Sequence, residues 1–298
     1  MAEVSEAIAR AIQDATREDF EVRRVEGVGG GCIHTALRIE GETAAGKKKY
    51  FAKLNDAGNK ALFAAEAEGL AAIAAAGAVR VPRVVAQGEA EESAYLVLEW
   101  LDLVPLDAKT GATLGEALAA QHRTAQEKFG WARDNFIGAS PQVNGWSGDW
   151  LAFWREKRLH AQLRLAAHNR LPSKMIDRGE RLATDCDAFF RTYAPQRSLL
   201  HGDLWGGNAA SANGLPVVFD PAVYVGDREA DIAMTELFGG FPGEFLSAYR
   251  AAWPLDPGYT ARRDFYNLYH ILNHANLFAG DYVRSAERTI EKALAEIR

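Results

Sequence analysis

Apolar positions fall into two regimes along the chain. Over residues 2–17, Val4, Ile8, Ala11, Ile12 and Ala15 recur at helical spacing, which predicts a short amphipathic helix. The next runs, 20–28, 32–40 and 48–55, are strand-like. The first two show partial alternation, glycines separate the first pair and ETAAG the second, so an antiparallel meander is expected. Residues 58–77 are alanine-rich, carry Leu62, Glu66, Leu70 and Ile73 along one face, and predict a helix ending near Gly77. After Pro82, a short strand VVAQGE precedes AYLVLEWL at 94–101, a nearly continuous apolar strand.

Beyond Leu101 helical patterns dominate: 111–128, 148–169, 173–193, 229–238, 243–253, 258–279 and 283–297. The strand-like exceptions are SLLHGD (198–203) and LPVVFD (215–220). The pattern predicts an α+β chain of two lobes, a small antiparallel-sheet N-lobe over 1–102 and a larger helical C-lobe over 103–298, with a cleft between them.

Composition narrows the classes of function. With 298 residues, 48% apolar and 25% charged, the chain has ordinary globular values and enough length for a sizeable core. No apolar run approaches the roughly 18 residues that span a bilayer. The acidic, amphipathic start is unlike a secretory signal. Forty acidic against 34 basic residues leave a net charge of −6, which argues against a nucleic acid or an anionic membrane as partner. Two cysteines, Cys32 and Cys186, are too few for a disulfide framework and suit a reducing cytoplasm.

Candidate chemistry begins at HGDLWGGN, 201–208. Asp203 and Asn208 stand five residues apart, and Asp220 closes the strand-like run twelve residues after Asn208. Phosphoryl transfer from a nucleotide needs a carboxylate to accept the acceptor hydroxyl's proton and hard oxygen ligands for Mg²⁺ close to it. A kinase catalytic loop supplies both at this spacing. Taken alone these residues could simply form turns. Gly27, Gly29, Gly30 and Gly31 between two strands would let backbone amides approach phosphates, although such a cluster is more often a hairpin turn. Lys53, in an otherwise apolar strand, needs a partner. Glu66 is preferred over Glu68 because it falls on the Leu62–Leu70 stripe. The order glycine loop, strand lysine, helix glutamate, Asp…Asn, strand-end Asp is far more specific than any one part, and points to a phosphotransferase.

With these residues the chain resembles the kinase-like small-molecule kinases, the group of aminoglycoside phosphotransferases and choline kinases. More closely it resembles the fructosamine-3-kinase (ketosamine kinase) family, in GGGCI (29–33), YFAKLN (50–55), the stretch 122–159 with FGWARDNFIG and NGWSGDWLAFW, HGDLWGGN, VVFDPAVYVGDREADIAM (217–234) and YNLYHILNHANLFAGDY (266–282). The resemblance implies phosphorylation of the 3-hydroxyl of a ketosamine, free or protein-bound, by ATP, as deglycation repair. It implies Asp203 as base, Asn208 and Asp220 as holders of Mg²⁺, Lys53 on phosphates, and the backbone around Glu99 and Leu101 against adenine. Asp231 would be a buried orienting carboxylate, and Trp205 would line the acceptor pocket.

Aromatic faces suit a polyol amine, and Asp227 and Glu229 are expected to meet its ammonium group. Trp150, Phe153 and Trp154, at helical spacing, are expected in the core rather than on the substrate, and His201 is read as a structural hydrogen-bonder. Cys32, in the glycine loop, is either a redox-sensitive thiol, able to link two chains of an otherwise monomeric or homodimeric protein, or an inert small residue. Cys186 is expected to be buried. The alternatives are another small-molecule kinase of the same fold, for an aminoglycoside, choline or sugar, and a non-catalytic nucleotide-binding regulator, which is disfavoured because base, metal ligands and lysine are all present.

Overall fold

The computed structural model describes residues 2–29 and 34–297. The N-lobe is a five-stranded antiparallel sheet in the order β1-β2-β3-β5-β4, with β1 Glu21–Gly27, β2 Thr35–Thr43, β3 Gly46–Asp56, β4 Val84–Ala90 and β5 Ser93–Glu99. Helices cover both faces. Helix α1, Ala2–Thr16, buries Val4, Ile8 and Ile12 against Leu37, Ile39, Tyr50, Tyr95 and Val97. Helix α2, Lys60–Ala76, buries Phe63, Ala67 and Leu70 against Ala94, Leu96 and Leu98. The strand β5 therefore sends alternate residues to two apolar layers, which explains its continuous hydrophobicity. The alternation on β3 places Tyr50, Ala52 and Leu54 under α1, and Lys53 on the α2 side.

The expected meander is present, and α2 ends at Gly77 in the left-handed conformation, as the sequence suggests. Its buried stripe runs Phe63, Ala67, Leu70 and Ile73 rather than through Leu62, which is half-buried.

Residues 100–107 lead to the helical part. Val104 exchanges backbone hydrogen bonds with Ser211 at 2.9 and 2.8 Å, pinning this connection to the C-lobe. Helix α3, Ala108–His122, starts at Asp107, whose carboxylate accepts from Thr110 N, and stops short of the expected residue 128. The hairpin β6–β7, Asn135–Ile137 with Ser140–Gln142, follows. The predicted helix 148–169 is α4, Trp150–Trp154, joined through a π turn at 155–159 to α5, His160–His168. Helix α6, Ser173–Thr184, ends before the expected residue 193, in a 3₁₀ turn over 186–190. Short strands β8 Ser198–Leu200, β9 Ala209–Ala212, β10 Leu215–Val218 and β11 Tyr224–Gly226 surround the catalytic-loop candidate. Helices α7 Arg228–Leu237, α8 Gly243–Ala252, α9 Tyr259–Phe278 and α10 Asp281–Glu296 complete the lobe.

Trp150, Phe153 and Trp154 lie in the main core, with Tyr224, Phe265 and Tyr266. Cys186 is buried as well, and burial pushes its thiol up. Among the described residues no helix is long and apolar enough to cross a membrane.

Candidate active site

The site begins with a lysine that the sheet cannot hide without a counter-charge. Lys53 is 6% exposed, and its Nζ lies 2.8 and 2.9 Å from the two carboxylate oxygens of Glu66 on α2. The same Nζ donates to Asp220 Oδ1 at 2.5 Å, across the lobes. Burial works against the ammonium, but Glu66 and Asp220 outweigh it and raise the Lys53 pKa, so the side chain stays charged. Glu68, the competing partner, points elsewhere, to Trp131 and Arg133.

Asp220 follows β10 and has φ +56°, a left-handed conformation that Asp tolerates better than most residues. Phe219 N donates to Asn208 O at 3.0 Å, so the two candidate metal ligands sit on adjacent, tied segments.

The loop 201–208 is hung from a buried carboxylate. Asp231, near the start of α7, accepts from His201 N at 2.7 Å, Gly202 N at 2.9 Å and His122 Nε2 at 3.1 Å. Burial would raise its pKa, but the hydrogen bond and charge of His122, with the other donors, hold it below the usual value. His201 Nε2 meets the Phe219 carbonyl at 3.0 Å, which can only accept, so that nitrogen carries the proton and Nδ1 accepts from Asp203 N at 3.3 Å. The ring is structural, as read from the sequence, and burial lowers its pKa, keeping it neutral. Gly202 has φ +81°, and a Cβ there would stand 2.0 Å from the Ala222 carbonyl, so only glycine fits the turn.

Asn208 Nδ2 donates to the backbone carbonyl of Asp203 at 2.9 Å and to its Oδ2 at 3.2 Å. That clamps the carboxylate, leaves Asp203 Oδ1 free of it, and turns the oxygen of the amide away. Burial, and then the charge of Asp220, push the Asp203 carboxyl up to about 7.

The remaining sequence candidates are distributed unevenly. Glu99 N donates to Arg83 O at 2.9 Å, and the Glu99 side chain accepts from Arg83 N, so its backbone amide is already used. Leu101 packs beside Ala210, Ala212, Val217 and Phe219, an apolar wall next to Asp220. A Cβ on Gly29 would meet no atom of the described residues within 4 Å. Gly30, Gly31 and Cys32 lie outside the described residues. Trp205 is 40% exposed, its indole lies across Gly207, and its ring meets Phe238 edge-on at 6.3 Å. Phe238 in turn lies 5.2 Å from His274, a neighbour that sequence reasoning missed. The i, i+4 spacing of His270, His274 and Phe278 on α9 was the available signal.

The substrate role expected for Asp227 and Glu229 does not survive. Both are fully buried. Asp227 caps α7 through Glu229 N and accepts from Tyr193 O–H at 2.9 Å and Tyr266 O–H at 2.5 Å. Glu229 takes two hydrogen bonds from Arg262, at 2.6 and 3.1 Å. They hold α7 and α9 together and offer nothing to an ammonium group.

A family model described as fructosamine kinase matches residues 4–296. The chain belongs to the fructosamine kinase family. It is 41% identical over 295 residues to a probable ketoamine kinase of Synechocystis, covering 97% of this chain and 96% of that one. It is 38% identical to a chloroplastic protein-ribulosamine 3-kinase of Arabidopsis thaliana, covering 93% and 85%. A solved structure from Thermobifida fusca, carrying the name fructosamine-3-kinase, superposes with a TM-score of 0.84 at 31% identity, covering 97% and 99%. An aminoglycoside phosphotransferase at 13% identity and TM-score 0.65 shares the fold alone, over 98% and 99%. Membership makes the chain a phosphotransferase with a kinase-like fold, as its motifs suggest.

Proposed function

We propose that the chain transfers the terminal phosphoryl group of ATP to the 3-hydroxyl of a fructosamine or ribulosamine, and so acts in the repair of glycated amines. Family membership supports the substrate class. The observation that carries the chemistry is the clamp of Asn208 on Asp203 beside the Lys53–Glu66–Asp220 cluster.

Each residue has a task its geometry allows. Asp203, held through Oδ2, presents Oδ1 to the acceptor hydroxyl and takes its proton. A carboxyl raised to about 7 is a better proton acceptor than an ordinary aspartate once ionised. Lys53, kept cationic by two carboxylates, fits the α/β-phosphates, and Glu66 fixes its direction. The apolar wall at Leu101, beside the backbone around Glu99, suits an adenine ring. Asn208 and Asp220 fit Mg²⁺. The amide nitrogen of Asn208 is used on Asp203, which leaves Oδ1, and only Oδ1 of Asp220 meets Lys53, so two hard oxygens are available on tied segments. Bound there, the ion would neutralise phosphate charge. Trp205 offers an exposed face to the sugar.

The test is to incubate the protein with Mg-ATP and fructose-lysine or ribulose-lysine and locate the phosphate by phosphorus-coupled NMR. Coupling to the proton on C3 is expected. Phosphate on another carbon would overturn the assigned position, and absence of any phosphorylated ketosamine would overturn the substrate class.

A further inference from the structure

The stretch from Phe129 to Ser147 folds as a brace behind the site, a role the transfer chemistry does not require of it. Its hairpin hangs on the chain that follows Asp220. Asn135 Nδ2 donates to the Val223 carbonyl at 2.7 Å, and Gln142 Nε2 to the Ala222 carbonyl at 3.0 Å. Both amides are buried and fixed in turn: Gln142 Nε2 and Asn144 Nδ2 reach Asn135 Oδ1 at 2.8 and 2.7 Å, and Tyr269 O–H donates to Gln142 Oε1 at 2.8 Å. Gly130 and Val225 exchange backbone hydrogen bonds at 2.8 Å.

The same stretch reaches the N-lobe. Trp131 Nε1 donates to Glu68 Oε1 at 2.9 Å, and the Arg133 guanidinium pairs with Glu68 Oε2. Glu68 stands two residues beyond Glu66 on α2, so the helix turns Glu66 to Lys53 and Glu68 to the brace. Next to it, Gly69 lets α2 close on the segment after Asp220; a Cβ there would stand 3.1 Å from Pro221 Cγ.

We propose that Glu68 and Trp131 form a latch that seats α2 on the brace, so that Glu66, Lys53 and Asp220 stay aligned. Glu68 and Trp131 are positioning residues for the phosphate-binding lysine, and the inference rests on the role proposed for Lys53 above. The Arg133 pair is more than half exposed on the arginine side and contributes little. The indole bond, from a half-buried Trp131 to a carboxylate, carries the latch.

The test is calorimetric titration of the full chain with Mg-ATP, with no acceptor present. Trp131→Phe keeps an aromatic ring and loses the N–H; it and Glu68→Ala should each weaken Mg-ATP binding at least about fivefold, what an ordinary hydrogen bond contributes. Glu68→Gln still offers an oxygen to the indole and should stay within about twofold of wild type. In a Glu66→Gln background, adding Trp131→Phe should change nothing further, because the latch acts through Glu66. Thermal midpoints recorded alongside separate a repositioned helix from a damaged fold. The proposal is overturned if Trp131→Phe binds like wild type, if Glu68→Gln is as weak as Glu68→Ala, or if the Trp131 and Glu66 effects multiply. Failure to phosphorylate any ketosamine would strike the proposed function and leave this readout standing; a wild-type chain that binds no Mg-ATP overturns both.

Discussion

Asp203 and Asp220 stand close enough for the charge of one to raise the pKa of the other, yet their expected tasks differ and substitution separates them. Asp203→Asn keeps the shape and removes the proton acceptor. It should lower kcat about 10²- to 10⁴-fold with Mg-ATP affinity near wild type, read from steady-state kinetics and titration. Asp220→Asn is different. Asn tolerates the left-handed backbone at φ +56°, so the fold should hold, while loss of the carboxylate should weaken Mg-ATP binding itself. Equal effects of the two variants on kcat and on nucleotide affinity would contradict the division of labour.

Away from the site, His270 is buried in α9, and burial, with the nearby His274, lowers its pKa from 6.5 to about 3. The unfolded chain takes up a proton near pH 6.5, and the folded ring does not until about 3. Its contribution to stability is thus whole above pH 6.5 and lost as pH falls toward 3, at up to about 1.4 kcal/mol per pH unit. In urea melts at pH 7.5 and 5.0, the advantage of wild type over His270→Gln should shrink by about 2 kcal/mol. Parallel stabilities would show that His270 titrates normally.

Among the elements, the pair α3–α8 shows packing overriding propensity. Ala is favoured over Gly in a helix by about 1 kcal/mol. At Gly115, however, a Cβ would stand 2.2 Å from Phe245 O and 2.9 Å from Tyr249 N, both backbone atoms that cannot turn aside. Overpacking of this kind costs about 1–3 kcal/mol, so Gly115→Ala should lower the melting temperature by several degrees. A rise would mean that the two helices can separate freely. The elements legible in the sequence were those with a long period or a covered strand: α1, α2, the meander, β5 and the helices α7 to α10. The hairpin β6–β7 escaped because three-residue strands carry no period, and α6 was drawn too long because no glycine or proline marks its end at Thr184. The same limit acted at the site. Lys53 and Glu66 could be paired because a lysine in an apolar strand demands a partner on the next helix. Asp227 and Glu229 were misassigned because their partners, Tyr266 and Arg262, lie more than thirty residues away, and nothing local shows that the charges are buried.

At the scale of the whole molecule, the lobes meet where the phosphate chemistry is expected. Lys53 of the sheet touches Asp220, Glu68 of α2 touches Trp131, and Val104 of the connecting segment is pinned to Ser211. These contacts tie the lobes together around Lys53 and Asp220, while Trp205 in the loop 201–208 and Phe238 beside it stay exposed. On the proposed function, an acceptor with a polyol and an organic amine would lie on those rings while its hydroxyl reaches Asp203. The measurement that tests this most directly is a coupled ADP-release assay with Mg-ATP, with fructose-lysine, ribulose-lysine, kanamycin and choline side by side and Asp203→Ala as control. Turnover on a ketosamine that disappears in Asp203→Ala is the predicted result. Turnover on kanamycin or choline with none on either ketosamine would contradict the account.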